Sequence, residues 1–154
     1  MAKRIGVISD THGLLRDEAT SKLKGCDLII HAGDVGGPLI LEELRRIAPL
    51  VAVRGNVDTG AWADELPPME YVHAEGTTIC VIHTIAELDL DVAAAGVNVV
   101  IYGHSHKPAA NWKDGILYLN PGSAGPKRFR LPISMAFLHI QPEGITPEFV
   151  ALAE

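Results

Sequence analysis

The stretch RIGVISDTHG (residues 4–13) decides the fold. It opens with a short apolar run, RIGVIS, of the kind that forms a buried strand. The run ends abruptly at Asp10, Thr11 and His12. Side chains two positions apart in extended chain point to the same side, so a carboxylate and an imidazole can reach a common point. The stretch therefore predicts a strand with a chemically active carboxyl end.

Strand and helix patterns alternate after this stretch. An amphipathic pattern near residues 16–24 predicts a helix, and the apolar run DLIIHA at 27–32 predicts the next strand. A helical pattern near 38–48 and the run LVAV at 50–53 repeat the order. Strands that alternate with helices build a mostly parallel sheet with covered faces, so this part of the chain predicts an α/β fold.

The second half of the chain has a different pattern. Residues 69–83, MEYVHAEGTTICVIH, predict two strands around a Glu-Gly turn. A helix is expected near residues 86–95 and a strand near 97–102, and the short runs that follow predict antiparallel hairpins. Because the sequence has no internal repeat and no long linker, we predict one α/β domain across residues 1–154.

Side chains that can bind metal follow nearly every apolar run. In open α/β sheets, ligands bind beyond the carboxyl ends of the strands, so these side chains are expected to converge on one crevice. Two pairs, Asp10 with His12 and His104 with His106, have the spacing of two that places both members on one side. The candidate metal ligands are Asp10, His12, Asp34, Asn56, His83, His104 and His106.

The donor set indicates which ions would bind. Carboxylate oxygens, imidazole nitrogens and an amide oxygen suit borderline divalent cations such as manganese, iron, zinc, nickel or cobalt, whereas calcium prefers oxygen alone. Each motif by itself also fits a turn, a helix cap or a hydrogen-bonded histidine. Their occurrence at consecutive strand ends favours a metal site.

The remaining histidines and both cysteines are assigned to packing or to the surface. His31, His73 and His139 lie within predicted strands and have no partner motif. Cys26 and Cys80 each stand in an apolar run, without the spacing of a disulfide framework or a zinc site. This is typical of buried core cysteines in a reducing compartment.

The charge distribution argues against several partners. The net charge is −6, and the longest basic cluster, Lys127, Arg128 and Arg130, is brief. Proteins that bind a nucleic-acid duplex present a broad basic face, so duplex binding is not expected. The apolar stretch near the N-terminus is too short for a signal peptide or a membrane span, so we expect a cytoplasmic protein with no membrane partner. A small phosphorylated substrate fits, because metal ions supply positive charge locally, and a homo-oligomer stays open.

In their order, the motifs resemble those of the calcineurin-like metallophosphoesterase superfamily: D-x-H, G-D, G-N-H-D/E, H and G-H-x-H. The resemblance extends from Lys3 to about Ile140 and looks closest to the small single-domain bacterial and archaeal phosphodiesterase branch. It implies a single-domain α/β/β/α sandwich of the metallo-dependent phosphatase type. It also implies two divalent cations at the strand ends, with manganese as the first expectation.

The resemblance further implies a role for each candidate ligand. The expected groups are Asp10, His12 and His106 on one cation, Asn56, His83 and His104 on the other, and Asp34 as the bridge between them.

Two departures from the family pattern affect the expected chemistry. Related phosphatases carry a histidine after the motif asparagine that is thought to protonate the leaving oxygen, and Val57 stands there instead. We expect Asn56 both to bind a metal and to donate to a phosphoryl oxygen. Without an acid at position 57, the leaving group must be a good one, be protonated by water, or use Asp58 indirectly. The family histidine at the strand end is usually followed by glycine, whereas here Thr84 follows His83, which changes the adjoining loop.

Together these expectations predict a divalent-metal-dependent phosphodiesterase in which a water molecule activated by two cations attacks a phosphate diester. The alternative is a non-catalytic protein-binding scaffold of the same fold, as in the retromer complex. A P-loop or Rossmann nucleotide-binding fold is disfavoured, because neither a Walker A motif nor GxGxxG occurs.

Overall fold

The structure, a computed structural model, describes residues 2–152 and contains two five-stranded sheets. The first sheet has the order β10-β9-β1-β2-β3 and the second has the order β4-β5-β6-β8-β7. The strands are β1 (Lys3–Ile8), β2 (Leu28–His31), β3 (Leu50–Ala52), β4 (Met69–Ala74), β5 (Thr77–Ile82), β6 (Val99–Ile101), β7 (Ala109–Lys113), β8 (Ile116–Asn120), β9 (Ser134–Gln141) and β10 (Gly144–Ala151).

Short helices connect the strands. They are α1 (Asp17–Leu23), α2 (Pro38–Arg45), α3 (Ala61–Asp64) and a 3-10 helix (Ile85–Glu87). In the part of the chain that the structure describes, no helix is long and apolar enough to cross a bilayer.

Side-chain alternation along the strands builds two main apolar layers. In β2, Ile29 packs with α1 and α2 on the outer face, while Ile30 packs between the two sheets. In β9, Phe137 likewise faces the helices and Leu138 faces the second sheet. This period of two follows from the pleat of a strand, and burial on both faces explains why the runs are almost continuously apolar.

The predicted architecture is confirmed. Strands β1, β2 and β3 pair in parallel, and β9 and β10 form the expected antiparallel hairpin at the far side of β1. The second sheet is also mixed: β5, β6 and β8 run parallel, with β4 and β7 antiparallel at its edges. Two mixed sheets flanked by helices form an α/β sandwich.

The helix predicted at residues 86–95 is wrong. This segment contains the 3-10 helix Ile85–Glu87 and a separate single turn. The Asp91 carboxylate accepts a hydrogen bond from the Ala94 N–H at 3.1 Å, which starts the turn locally, and Gly96 ends it with a φ of 75°. Asp side chains that bond nearby backbone compete with a continuous helix, so only one turn forms before β6.

The topology brings the carboxyl ends of the parallel strands together. The Asp10 N–H donates to the Gly33 carbonyl at 3.0 Å, which joins the ends of β1 and β2. In the second sheet, the Gly103 N–H donates to the His83 carbonyl at 2.9 Å and joins the ends of β5 and β6. Every sequence-predicted ligand lies on the loops that leave these ends or the end of β3.

Candidate metal centre

Six of the seven predicted ligands form two compact groups. In each group, one potential ligand atom per residue lies within 4.8 Å of the others. The first cluster is Asp10, His12 and His106, and the second cluster is Asp34, His83 and His104.

The two clusters are contiguous, and Asp34 lies between them. Its Oδ2 is 3.6 Å from His12 Nε2 in the first cluster and 3.1 Å from His83 Nε2 in the second. Asp10 Oδ1 also faces both clusters, at 3.5 Å from His106 Nε2 in the first and 3.8 Å from His83 Nε2 in the second. Carboxylates that face imidazoles of both clusters are the groups that could bridge two cations.

Several polar atoms at this junction are buried without a hydrogen-bond partner. Among the described residues they are Asp10 Oδ1, His12 Nε2, His83 Nε2 and His106 Nδ1. Unpaired polar groups in a protein interior are unfavourable and therefore rare, and an ion is one standard explanation for them. The mixed nitrogen and oxygen donor set fits borderline divalent cations, so the residues present fit a metal site.

The hydrogen bonding of His83 fixes which ring nitrogen faces the centre. Its Nδ1 donates to the Ala32 carbonyl at 2.7 Å, because a carbonyl oxygen can only accept. In the neutral imidazole this leaves the lone pair on Nε2, the atom directed towards Asp34. A backbone carbonyl that orients the far nitrogen of a histidine is typical of metal sites.

Burial and charge shift the pKa values of the buried pair in opposite directions. Burial acts to raise the pKa of Asp34, but His83 and the Val57 N–H outweigh it and lower that pKa to about 2. Burial acts to lower the pKa of His83, but the carboxylates of Asp34 and Asp10 outweigh it and raise that pKa. The raised pKa means that a cation bound here would compete with a proton for His83.

In the first cluster, burial is the main cause of the pKa shifts of Asp10 and His106. Burial raises the pKa of the Asp10 carboxyl, against the opposing effect of His83. Burial also lowers the pKa of His106; Asp10 opposes this, and the positive charge of Arg128 adds to the lowering. The lowered pKa favours the neutral form of His106, which is the form that a metal ligand requires.

Asn56, the seventh predicted ligand, lies at the open side of the second cluster. With His83 and Thr84 it lines a cleft of about 420 Å³. The Thr84 hydroxyl donates weakly to Asn56 Oδ1 at 3.4 Å. The next residue, Val57, has 51% of its surface exposed, and its N–H donates to Asp34 Oδ1 at 3.0 Å. The substituted position therefore faces solvent and helps to hold Asp34.

Asp58, predicted to assist protonation, has a different environment from that expected of a proton donor. It is 3% exposed, and its carboxylate accepts from the N–H groups of Val35, Gly36 and Gly55 at 3.1, 3.0 and 2.9 Å. These bonds connect the backbone that follows Asp34 with the backbone that precedes Asn56. The contacts favour a role in positioning the two loops.

The sequence-based assignment of His31 to simple packing misses a buried network. His31 is 0% exposed, and its Nδ1 accepts from the Gly33 N–H at 3.1 Å. The Thr11 hydroxyl donates to the Val35 carbonyl at 2.7 Å, so it must accept from His31 Nε2–H at 2.9 Å. A neutral imidazole is fully satisfied, and it joins the loop between Asp10 and His12 to the loop that carries Asp34. The signal in the sequence is a single polar residue within a buried strand, which needs partners.

Close backbone approach explains two of the glycines beside the ligands. A Cβ on Gly55 would overlap Asp34 N and Oδ1, and one on Gly103 would overlap Ser9 Oγ and lie 2.7 Å from Asp10 Oδ2. The loops that carry Asn56 and His104 therefore touch the loops that carry the two carboxylates. Only glycine allows this contact without displacement.

The segment Asn120–Ser123, at the end of β8, contacts the loops that carry the candidate ligands. Asn120 Nδ2 donates to the Gly103 carbonyl and to Ser105 Oγ, both at 3.1 Å, while Ser123 Oγ donates to the Asp10 carbonyl at 3.1 Å. The end of β8 thus fixes the loops of both clusters. These residues therefore position the candidate ligands.

Comparison with known proteins assigns the family. The calcineurin-like phosphoesterase superfamily domain matches residues 4–143, and the chain belongs to this family. A probable metallophosphoesterase of Methanothermobacter thermautotrophicus is 32% identical over 163 aligned positions, which cover 95% of this chain and 91% of that protein.

Solved structures share the fold. A novel archaeal phosphodiesterase superposes with a TM-score of 0.81 at 23% identity, covering 97% of this chain and 99% of that chain. Wild-type Vps29 of Entamoeba histolytica in complex with zinc superposes with a TM-score of 0.72 at 20% identity, covering 96% and 98% of the two chains. At these identities the likeness concerns the fold.

Proposed function

We propose that this chain is a phosphodiesterase that hydrolyses phosphate diesters with two divalent cations, manganese first among them. The observation that carries the proposal is the junction of the two clusters, where Asp34 Oδ2 faces His12 Nε2 and His83 Nε2 at 3.6 and 3.1 Å. The family and the name of the archaeal phosphodiesterase of the same fold support it.

The proposed ligand assignment follows the two clusters. Asp10, His12 and His106 would hold one cation, His83 and His104 would hold the other with Asn56, and Asp34 would bridge them. When bound, two such cations supply Lewis acidity: they lower the pKa of a water molecule and neutralise charge on the phosphoryl oxygens.

The chain's own residues would orient the substrate and the candidate ligands. The exposed amide of Asn56, at the mouth of the cleft, can donate to a phosphoryl oxygen as well as bind a cation. His83 keeps its Nε2 directed inward because its Nδ1 is held by the Ala32 carbonyl. The apolar, half-exposed Val57 supplies no proton, so the leaving group must depart with little help from this loop.

A metal and substrate screen tests the proposal. The protein would be stripped with a chelator, reloaded separately with manganese, iron, zinc, nickel or cobalt, and assayed with nitrophenyl phosphodiesters, nitrophenyl phosphate and cyclic nucleotides. We expect uptake of about two equivalents and faster turnover of diesters than of monoesters. His12→Gln should lose metal and activity, while His73→Gln, an exposed histidine on β4, serves as the matched control. No turnover with any metal would contradict the proposal.

The second candidate is a protein-binding scaffold, favoured by the likeness to Vps29. Metal uptake alone does not separate the two candidates, because that Vps29 structure itself contains zinc. Turnover does: a scaffold would take up metal and hydrolyse nothing above the rate in solvent. A phosphodiesterase would lose its turnover on chelation and regain it on reloading.

A further inference from the structure

A basic loop with an exposed aromatic residue lies beside the metal centre. The basic loop is defined here as residues 126–132, PKRFRLP. Among the described residues, Phe129 is the most exposed large apolar side chain, with 92% of its surface accessible, and its φ is 53°. A left-handed conformation is unfavourable for a bulky residue, and so is a phenyl ring held in water. Both features call for a functional explanation.

The amino-terminal end of the basic loop is anchored on the Asp10 loop. The Ala124 N–H donates to the Ser9 carbonyl at 3.0 Å, and a Cβ on Gly125 would overlap the carbonyl oxygens of Asp10 and Thr11. The basic loop therefore leaves directly from the backbone that carries the first cluster.

The other end is fixed equally firmly. The Ser134 N–H donates to the Ser123 carbonyl at 2.9 Å, and its hydroxyl donates to the Pro121 carbonyl at 2.8 Å. At the amino-terminal end, the guanidinium of Arg16 also donates to the Gly125 carbonyl at 3.1 Å. With both ends held, the exposed side chains at the tip stay at the rim of the metal centre.

Charge distinguishes the basic loop from the cleft beside the second cluster. Residues Arg128 and Arg130 are exposed at the tip of the basic loop, and the charge of Arg128 reaches His106. The cleft beside the second cluster is lined by the exposed carboxylates Glu87 and Asp89 and by the partly buried Arg54, whereas the basic loop contains no carboxylate. An anionic group attached to the reacting phosphate would therefore be attracted more strongly to the basic loop than to the cleft.

We propose that the basic loop binds the non-reacting arm of the diester, and that this arm is nucleotide-like. Arg128 and Arg130 would contact a second phosphate, since guanidinium groups match phosphate geometry. Phe129 would stack on the planar ring of the base, an interaction that every base can make. The inference rests on the proposed phosphodiesterase function and specifies the substrate class of that same site.

Equilibrium binding to the metal-loaded protein tests this assignment without turnover. The probes are an adenosine bisphosphate, inorganic phosphate and adenosine, measured by calorimetry. The variants are Arg128→Gln and Phe129→Ala, with Arg45→Gln and Trp112→Ala as matched controls on exposed surfaces of α2 and β7. All four side chains are exposed, so folding should be unaffected.

We expect both loop variants to weaken binding of the bisphosphate roughly fivefold or more, as loss of one stacking or phosphate contact does. Binding of inorganic phosphate to the metals, metal content and the behaviour of both controls should not change. Unchanged bisphosphate binding in the loop variants would overturn the assignment, even if a nitrophenyl diester is still hydrolysed. Loop-dependent binding without any hydrolysis would support the assignment and contradict the phosphodiesterase function instead.

Discussion

Replacing Asp58 separates a positioning role from a role in catalysis. Its carboxylate accepts three backbone N–H bonds, two from the residues after Asp34 and one from Gly55, which precedes Asn56. In Asp58→Asn, one oxygen becomes an NH₂ group that meets a backbone donor. Either rotamer of the amide leaves at least one N–H unpaired.

The magnitude follows from these bonds. Leaving a buried donor unsatisfied costs about 1–3 kcal/mol, and the surviving bonds lose the assistance of the charge. We therefore expect Asp58→Asn to lower the free energy of unfolding by about 2–4 kcal/mol, or the melting temperature by roughly 5–15 °C for a domain of this size. Because residues that orient metal ligands affect metal affinity, that affinity should fall about tenfold or more.

The assay combines urea unfolding, metal titration and hydrolysis of nitrophenyl and alkyl diesters. Asp64→Asn, an exposed carboxylate on α3, is the matched control and should be neutral. At saturating metal, Asp58→Asn should hydrolyse both diesters with an unchanged ratio. A variant with full metal content and normal stability that loses only the alkyl diester, by about a hundredfold or more, would identify Asp58 as a proton donor and refute this reasoning.

Three further perturbations test other parts of the site. Asp34→Asn should abolish activity and reduce the occupancy of both cations, because Asp34 faces both clusters; near-normal metal content would exclude a bridging role. Val57→His should raise the alkyl-diester rate and flatten the dependence on leaving-group pKa, with Val57→Ala as control; an unchanged slope in a fully metallated variant would mean that position 57 does not control protonation. Burial lowers the pKa of His31 from 6.5 to about 4. As the pH falls from 6.5 to 4, His31 therefore binds a proton in the unfolded chain but stays neutral in the folded chain, which favours unfolding. Metal-free wild type should therefore lose about 3 kcal/mol of unfolding free energy between pH 6.5 and 4 beyond any loss in His31→Gln; parallel pH profiles of the two proteins would contradict this.

The sequence was sufficient where one physical rule controlled the outcome. Apolar runs buried on both faces could only be strands of a covered sheet, and β1 and β2 lie where RIGVIS and DLIIHA predicted them. Because parallel strands end at one edge, the polar residues that follow them meet there, as the two clusters do. The convergence of the candidate ligands was therefore predictable from the sequence alone.

Long-range hydrogen bonding was not predictable in the same way. Asp58 accepts from Val35 and Gly36, more than twenty residues away, and His31 bonds Thr11 across two strands. No periodicity in the sequence encodes such partners, because they depend on how loops of different strands pack. The missing helix at 86–95 has a local cause instead: the Asp91 carboxylate bonds the nearby Ala94 N–H, and the chain turns before a helix can extend.

The backbone supplies an argument for function that is independent of the motifs. The site residues with left-handed backbone are Asp10 (φ 56°), His12 (47°), Asp34 (55°), His104 (72°) and His106 (64°). Each such residue other than glycine costs about 1–2 kcal/mol, so this set costs at least about 5 kcal/mol, comparable to the net stability of a small domain. Selection for packing alone would place glycine or asparagine at these positions. Strain of this kind persists where the surrounding structure enforces it and function requires it. Here the hydrogen bonds of Asp58, His31 and Asn120 hold the loops in place. The site residues with strained backbone all contribute side chains to the two clusters.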